Sequence, residues 1–469
     1  MSKKIIVNPI TRISGFAEIE VDIEEDIIAG ARTKGFLFRG FEKMLLGRSP
    51  FDAVYFTERI CGICSTAHSI SSTLALEDAL KIRPTEQGRY LRDFVHGCEF
   101  LQNHLRHFYQ YTLPDFIELP DVSSIYSSNS DRRKLPEKIN AKIAKHYFDS
   151  LAFSRSAHEM LAVFGGKVPH NHGIFIGGIT ALPTADKIIK AKSILTNIHR
   201  FIKDTMIPDV YTIAEYYPEC FELGKGYGNF LTYGCFNDYK DLGTLYVDPK
   251  VFVNSKEEVF DREGITENIT YSWYNNGNQT YTPFERITSD DMQKKDAYSW
   301  VKAPRYYGQP CEGGPLARMW LSGDYRRGIS LMDRTIARVL ETKKIAEIMK
   351  VLLQNVIPNI STQMEYELPE KSVGAGLIDT TRGALGHWLK IDNKVISFYQ
   401  IITPSVWNFG TKDEKGVIGV TEKALVGTPI QNVDNPIEIG RIVRSFDPCV
   451  SCATHIYQPG HETKIIQVL

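Results

Sequence analysis

Arg59–Ser72 reads RICGICSTAHSISS, placing Cys61 and Cys64 three apart and His68 four residues later. Near the other end, Asp447–His455 reads DPCVSCATH, with Cys449 and Cys452 again three apart and His455 close behind. Eight cysteines in 469 residues are too few and too scattered for a disulfide framework. Thiolates are soft ligands for zinc, iron, copper and nickel, and two Cys-x-x-Cys pairs can supply four sulfurs to one centre. A structural zinc module keeps its pairs about 15–20 residues apart, whereas these pairs lie at opposite ends of the chain. A thioredoxin-like redox pair stays open for either half alone, although neither sits in an obvious strand-to-helix unit. Spacing leaves the choice between a shared centre and two separate pairs undecided.

Composition narrows the class. With 43% hydrophobic residues and a formal net charge of -1, the chain can bury a large core and has no bulk charge to draw it to nucleic acid or acidic lipid. No run of about 18 apolar residues reads as a membrane span, and the start, MSKKIIVNPITRISG, has no long apolar secretory core. Any export is therefore expected to ride on a partner, and the compartment stays open. Cys98, Cys220, Cys235 and Cys311 stand alone and read as small buried hydrophobes.

Working outward, residues 16–24 (FAEIEVDIE) alternate apolar and acidic, the pattern of a strand with one wet face at a sheet edge. From Pro84 the period changes to three and four, predicting a helix to about Tyr111. A second helix opens at Pro136 and closes at Gly165–Gly166, and a third lies between Pro183 and Pro208. Ser330 with Asp333 forms a capping-box pattern ahead of a fourth long helix that stops by Pro358. Residues 240–300 turn to Tyr, Thr, Val and Trp, with an Asn276-Gly277 turn between two β-prone arms. The reading is α+β: predominantly α with a core of long helices, and small antiparallel sheets at the N-terminus and in an insertion near 240–300. No repeat or linker divides the chain, so residues 1–455 are expected to be one domain.

The flanks of the cysteine pairs carry more. The sequence strongly resembles the large subunit of nickel–iron hydrogenases, whose first signature is R-x-C-G-x-C-x-x-x-H and whose last is D-P-C-x-x-C-x-x-H. Both are met in full, by Arg59–His68 and Asp447–His455. GFLFRGFEKMLLGR (35–48), GGKVPHNHGIFIGG (165–178), APRYYGQPCEGGPLAR (303–318), RGALGHW (382–388) and YQIITPSVWN (399–408) are similar to further family blocks in family order. The wording of the last block and of TRISGF (11–16) is nearer the uptake, membrane-linked type.

The resemblance implies that Cys61 and Cys449 bind nickel terminally, and that Cys64 and Cys452 bridge it to an iron carrying one carbon monoxide and two cyanides. It implies a hydrogen bond from His68 to the sulfur of Cys64, and an Arg382 that hangs over the open side of the cluster, held by Asp447. Glu42, the carbonyl of Ile401 and His455 match the family's ligands for a magnesium ion. The implied activity is reversible heterolytic cleavage of dihydrogen to protons and electrons, the proton passing to Cys449 or else to Arg382. No spare cysteine cluster remains for an iron–sulfur centre, so an iron–sulfur small subunit is implied, with a membrane cytochrome as a further partner reached through it. A small subunit with a twin-arginine signal would carry both chains across a membrane. Residues 456–469 resemble the family's precursor tail, removed by a maturation endopeptidase after metal-insertion chaperones have acted.

Two other readings share parts of this picture. A hydrogen-sensing regulatory subunit has the same cluster but generally no cleavable tail, and a soluble nicotinamide- or deazaflavin-reducing hydrogenase differs in its electron acceptor. A respiratory quinone module has the fold without the cysteines. One departure bears on mechanism: where the family commonly has R-I-E-G-H, this chain has Arg12-Ile13-Ser14-Gly15-Phe16. A serine hydroxyl can relay a proton but cannot hold charge near neutral pH, so the proton path runs through Ser14 and water or through Arg382. Asn103 and Thr381 stand where some relatives have Asp and Pro.

Overall fold

Three antiparallel strands open the chain: β1 (Lys3–Val7), β2 (Ala17–Glu24) and β3 (Ile27–Gly35). The computed structural model describes residues 3–119, 134–275, 279–285 and 289–450, together with the backbone of a short strand at 465–466. β2 lies between β1 and β3. It is therefore not the sheet edge that its alternation suggests, and its acidic side is covered over Glu18 and Glu20 and opens to solvent only at Asp22 and Glu24. Glu18 and Glu20 are buried under ion pairs from neighbouring strands, with Lys34 at 2.7 and 2.5 Å, and Lys4 2.8 Å from Glu20. Burial pushes the Glu20 carboxyl up, but the Lys34 and Lys4 ammoniums outweigh it and hold the group at about 2. Beside β1, Ile465–Ile466 runs parallel and opposite Ile6 and Val7.

The helices are α1 (Phe41–Leu45), α2 (Asp52–Glu58), α3 (Ser65–Leu80), α4 (Glu86–Arg106), α5 (Glu137–Gly165), α6 (Ala185–Phe201), α7 (Ile207–Tyr216), α8 (Pro315–Leu321) and α9 (Leu331–Gln354), and α4, α5, α6 and α9 are those the sequence marks. α4 continues through a π-helical turn, His107–Thr112. The box at the start of α9 forms as expected: the Asp333 amide donates to Ser330 Oγ at 3.1 Å, and the Ser330 amide to Asp333 Oδ2 at 2.9 Å. Pro208 does not end the third helix. After a π turn at Ile202–Met206 it occupies the first turn of α7, where the missing N–H costs nothing. Phe94, Leu101 and Phe108 with Leu161, Ile198 and Met349 form part of the main core between these helices. The four lone cysteines are all buried, as expected.

The sheets are partly elsewhere than expected. In the insertion, Tyr274–Asn275 pairs with Ser289–Asp290, while Thr280–Tyr281 pairs with residues of Ile265–Asn268. The two arms thus pair with other strands and not with each other, and the Asn276-Gly277 turn lies outside the described residues. The two longest strands among the described residues, Lys371–Thr380 and Gly383–Asp392, form an unforeseen meander with Val395–Ile402. α3 lies directly on its first strand: a Cβ on Gly376 would fall 2.0 Å from the Ser71 carbonyl oxygen, and one on Gly374 2.1 Å from that of Ala75. Only glycine permits that approach, and it seats the helix that starts at Cys64 against the strands carrying His387, Tyr399 and Ile401.

Candidate metal centre

Cys61 sits in the turn after α2, where its sulfur accepts the amides of Ile63 at 3.3 Å and Cys64 at 3.4 Å. Cys64 is the N-cap of α3 but makes no side-chain cap. Glu99 of α4 does that work, accepting the amides of Thr66 at 2.8 Å and Ala67 at 3.2 Å. Burial pushes the Glu99 carboxyl up to about 7.

Cys449 arrives from the opposite end of the chain. The segment after the helix Ile437–Ser445 runs beside residue 14: the Ser14 amide donates to the Pro448 carbonyl at 3.2 Å and the Val450 amide to the Ser14 carbonyl at 2.8 Å. The Cys449 amide donates to Ser405 Oγ at 2.8 Å. The two chain ends therefore meet. The sulfurs of Cys61, Cys64 and Cys449 lie within 4.8 Å of one another, Cys61 and Cys449 being 3.4 Å apart, and all three residues are buried. Cys449 Sγ also lies 3.4 Å from Ser14 Oγ. Cys452 and His455 lie outside the described residues.

A cationic wall faces the sulfurs. Arg382 lines a small cavity with Cys64, His68 and Cys449. Its Nε donates to the Asp447 carbonyl at 2.8 Å, and its Nη2 to Asn103 Oδ1 at 2.9 Å and Asp447 Oδ1 at 3.1 Å. Nη1 is buried with no hydrogen-bond partner among the described residues. Burial pushes the Asp447 carboxyl up, but Arg382, His107 and Arg338 outweigh it and hold it below the usual carboxylate range. Arg318 fixes the turn that carries Arg382 by donating to the carbonyls of Thr380 at 2.8 Å and Thr381 at 3.4 Å.

His68 is buried, and burial drives its imidazole down to about 4. Its Nδ1 lies 3.2 Å from His387 Nε2, so the ring faces a second histidine as well as the cavity. Glu42 and Ile401 line a second cavity with Cys449, Glu267 and Lys302. Glu267 is buried, with Oε2 3.5 Å from Lys302 Nζ and Oε1 without a hydrogen-bond partner among the described residues. The Glu42 and Glu267 carboxylates and the Thr403 and Ser405 hydroxyls are oxygen donors of the kind a hard cation takes, although Arg39 and Lys302 line the same cavity.

Three sulfurs from opposite ends of the chain, facing a buried guanidinium whose Nη1 has no partner among the described residues, fit a thiolate-bound metal cluster. Sequence reasoning placed Cys61, Cys64, Cys449, Ser14, His68, Arg382 and Asp447 around this centre, and the structure brings them together. It missed Glu99, His387, Tyr399, Ser405, Glu267 and Lys302. GHW and YQI lay within quoted blocks, yet nothing local marks His387 or Tyr399 as neighbours of His68.

A family model described as nickel-dependent hydrogenase matches residues 39–130, 123–328 and 323–455. The chain is 35% identical to the periplasmic [NiFeSe] hydrogenase large subunit of Desulfomicrobium baculatum, covering 97% of this chain and 95% of that one. It is 28% identical to the hydrogenase-2 large chain of Escherichia coli K12 over the full length of both. The solved H2-activated [NiFeSe] hydrogenase of Dm. baculatum superimposes with a TM-score of 0.93 at 34% identity, covering 97% of this chain and 100% of that one. The sulfurs at the meeting of the two chain ends, and these matches along nearly the whole sequence, show that the chain belongs to the nickel-dependent hydrogenase family, as a large subunit.

Proposed function

We propose that this chain is the catalytic subunit of a nickel–iron hydrogenase that cleaves dihydrogen reversibly into protons and electrons and passes the electrons to an iron–sulfur small subunit. The observation that carries this reading is the convergence of Cys61, Cys64 and Cys449 within 4.8 Å, beside an Arg382 whose Nη1 has no hydrogen-bond partner among the described residues. Cys61, Cys64, Cys449 and Cys452 would hold nickel and an iron carrying carbon monoxide and two cyanides. When bound, the metals supply Lewis acidity that polarises dihydrogen.

The chain's own residues handle the proton and the charge. Arg382 offsets the thiolates' negative charge and keeps one N–H directed at the open side, and Asp447 and Asn103 hold it there. Cys449 accepts the proton, and Ser14 Oγ at 3.4 Å relays it onward. A hydroxyl moves a proton only by receiving one as it gives one up, so this step needs water on the far side of Ser14. Ser14→Ala is expected to slow hydrogen turnover several-fold while metal content stays at the wild-type level. Unchanged turnover would shift the proton path to Arg382.

Glu42, the Ile401 carbonyl and His455 would hold a magnesium ion in the second cavity, with Glu267 and Lys302 behind it. Residues 456–469 would be removed by an endopeptidase after chaperones have inserted the metals, leaving His455 as the last residue of the domain 1–455. Purified together with its small subunit, the protein is expected to contain nickel, to take up dihydrogen and to have an intact mass ending at His455. Active, nickel-loaded protein that retains residues 456–469 would refute the maturation step, and zinc in place of nickel would refute the catalyst. No helix among the described residues is long and apolar enough to cross a membrane.

A further inference from the structure

One long surface helix keeps a row of positive charge that the rest of the molecule does not neutralise. α6 turns Ala191, Leu195, Ile198 and Phe201 into the core. Its outer side carries Lys190, Lys192 and Arg200, all exposed, and Lys203 stands exposed in the π turn that continues it. None of these four makes an ion pair among the described residues. On the neighbouring α5, by contrast, Lys145 and Arg155 pair with Asp149 and Glu159 one turn further on. With Lys187 the segment holds five cations against two carboxylates, Asp186 and Asp204, in a chain whose formal net charge is -1.

Apolar grooves open on both flanks of the same helix. The one against α9 is lined by Ile189, Leu353 and Val356 together with Lys192 and Lys350. The one against α5 is lined by Phe153, Ile194 and Phe201 together with Arg200 and Asp204. At the start of α6 the Asn359 amide donates to the Pro183 carbonyl at 2.9 Å, joining two loops that expose Leu182, Ile357 and Ile360. Ile189, in the first turns of the helix, is 68% exposed. Aliphatic side chains gathered on a basic face mark a surface made for contact.

We propose that this face rests on a bilayer containing anionic phospholipid, with α6 lying in the plane of its surface. From Lys190 to Lys203 the row spans about 20 Å of helix. A bilayer offers negative headgroups along that whole length and acyl chains just beneath them, so cations and exposed aliphatic groups both find partners without any fixed register. A folded acidic protein would need carboxylates spaced to match the row and an apolar patch at one end of it. The contact is peripheral: the Lys and Arg stems lie along apolar surface while their charged heads reach the phosphates.

Two measurements test it. The full chain is sedimented with vesicles of phosphatidylcholine alone or mixed with phosphatidylglycerol. It is expected to bind the mixed vesicles at least about tenfold more tightly, and to release them as salt is raised. The triple variant Lys190→Glu, Arg200→Glu, Lys203→Glu is expected to keep the wild-type thermal midpoint, because these side chains face solvent, and to lose that preference. Equal binding of the wild type to both vesicles, or a folded triple variant that binds as the wild type does, would overturn the proposal. In the complex with the small subunit, a polarity-sensitive fluorophore on Ser193→Cys, on the same exposed side of α6, is expected to shift to shorter wavelength on the mixed vesicles alone. An anchor carried by the small subunit would not produce that shift. Its absence would leave this face in water or under the small subunit, and would overturn the proposal whatever the metal centre does.

Discussion

Cys449→Ser is expected to leave the chain folded and to abolish both nickel content and hydrogen turnover. Serine is nearly the size of cysteine and keeps the backbone contacts of this position, the amide to Ser405 Oγ and the strand-like pairing with Ser14. What it removes is the thiolate: a hydroxyl is neither soft nor ionised at neutral pH, so nickel loses a matched ligand. Losing even an outer partner of a ligand costs roughly 10–100-fold in metal affinity, and losing a ligand itself is expected to cost on the order of 100-fold or more. Elemental analysis of the purified variant and an unchanged circular dichroism spectrum check it. Stoichiometric nickel in the variant would show that Cys449 is not a ligand, despite lying 3.4 Å from Cys61.

Arg382→Lys is expected to have the second largest effect, and to separate charge from geometry. The ammonium keeps the positive charge, so the offset to the thiolates survives and nickel should remain bound. It cannot reproduce the planar fork that reaches Asp447 and Asn103 together and leaves Nη1 for the cavity. Removing one preorganised donor from a buried reaction site costs about 10²–10³ in rate, so kcat should fall at least about 100-fold with nickel near one per chain. Turnover within a few-fold of wild type would show that the charge alone matters at this position.

The motifs bearing ligands were legible because each is local. Cys-x-x-Cys puts two sulfurs within reach of one ion whatever the remaining fold does. Ser330 and Asp333 cap α9 through bonds closed within four residues. The long helices were legible for the same reason, since their apolar faces recur every three to four residues. β2 misleads because its alternation describes side-chain direction, while the wetness of a face depends on what covers it, here Lys4, Arg32 and Lys34. The meander at 371–402 hides because its central strand is buried along nearly its whole length and shows no alternation.

The contact of His68 with His387 and the cavity lined by Glu42 were illegible for a related reason. Glu99 reaches Thr66 across 33 positions and His387 reaches His68 across 319, and no spacing rule operates at those separations.

By itself the sequence determined which atoms this protein can offer a metal and where four of its long helices lie, because ligand chemistry, helical periodicity and capping are properties of residues and their near neighbours. Only the tertiary structure decided that Cys61 and Cys449 share one centre, that Glu99 and not Cys64 caps α3, and that His68 is backed by His387 and Tyr399. Those outcomes depend on distance and burial, and both are set by packing between segments hundreds of residues apart.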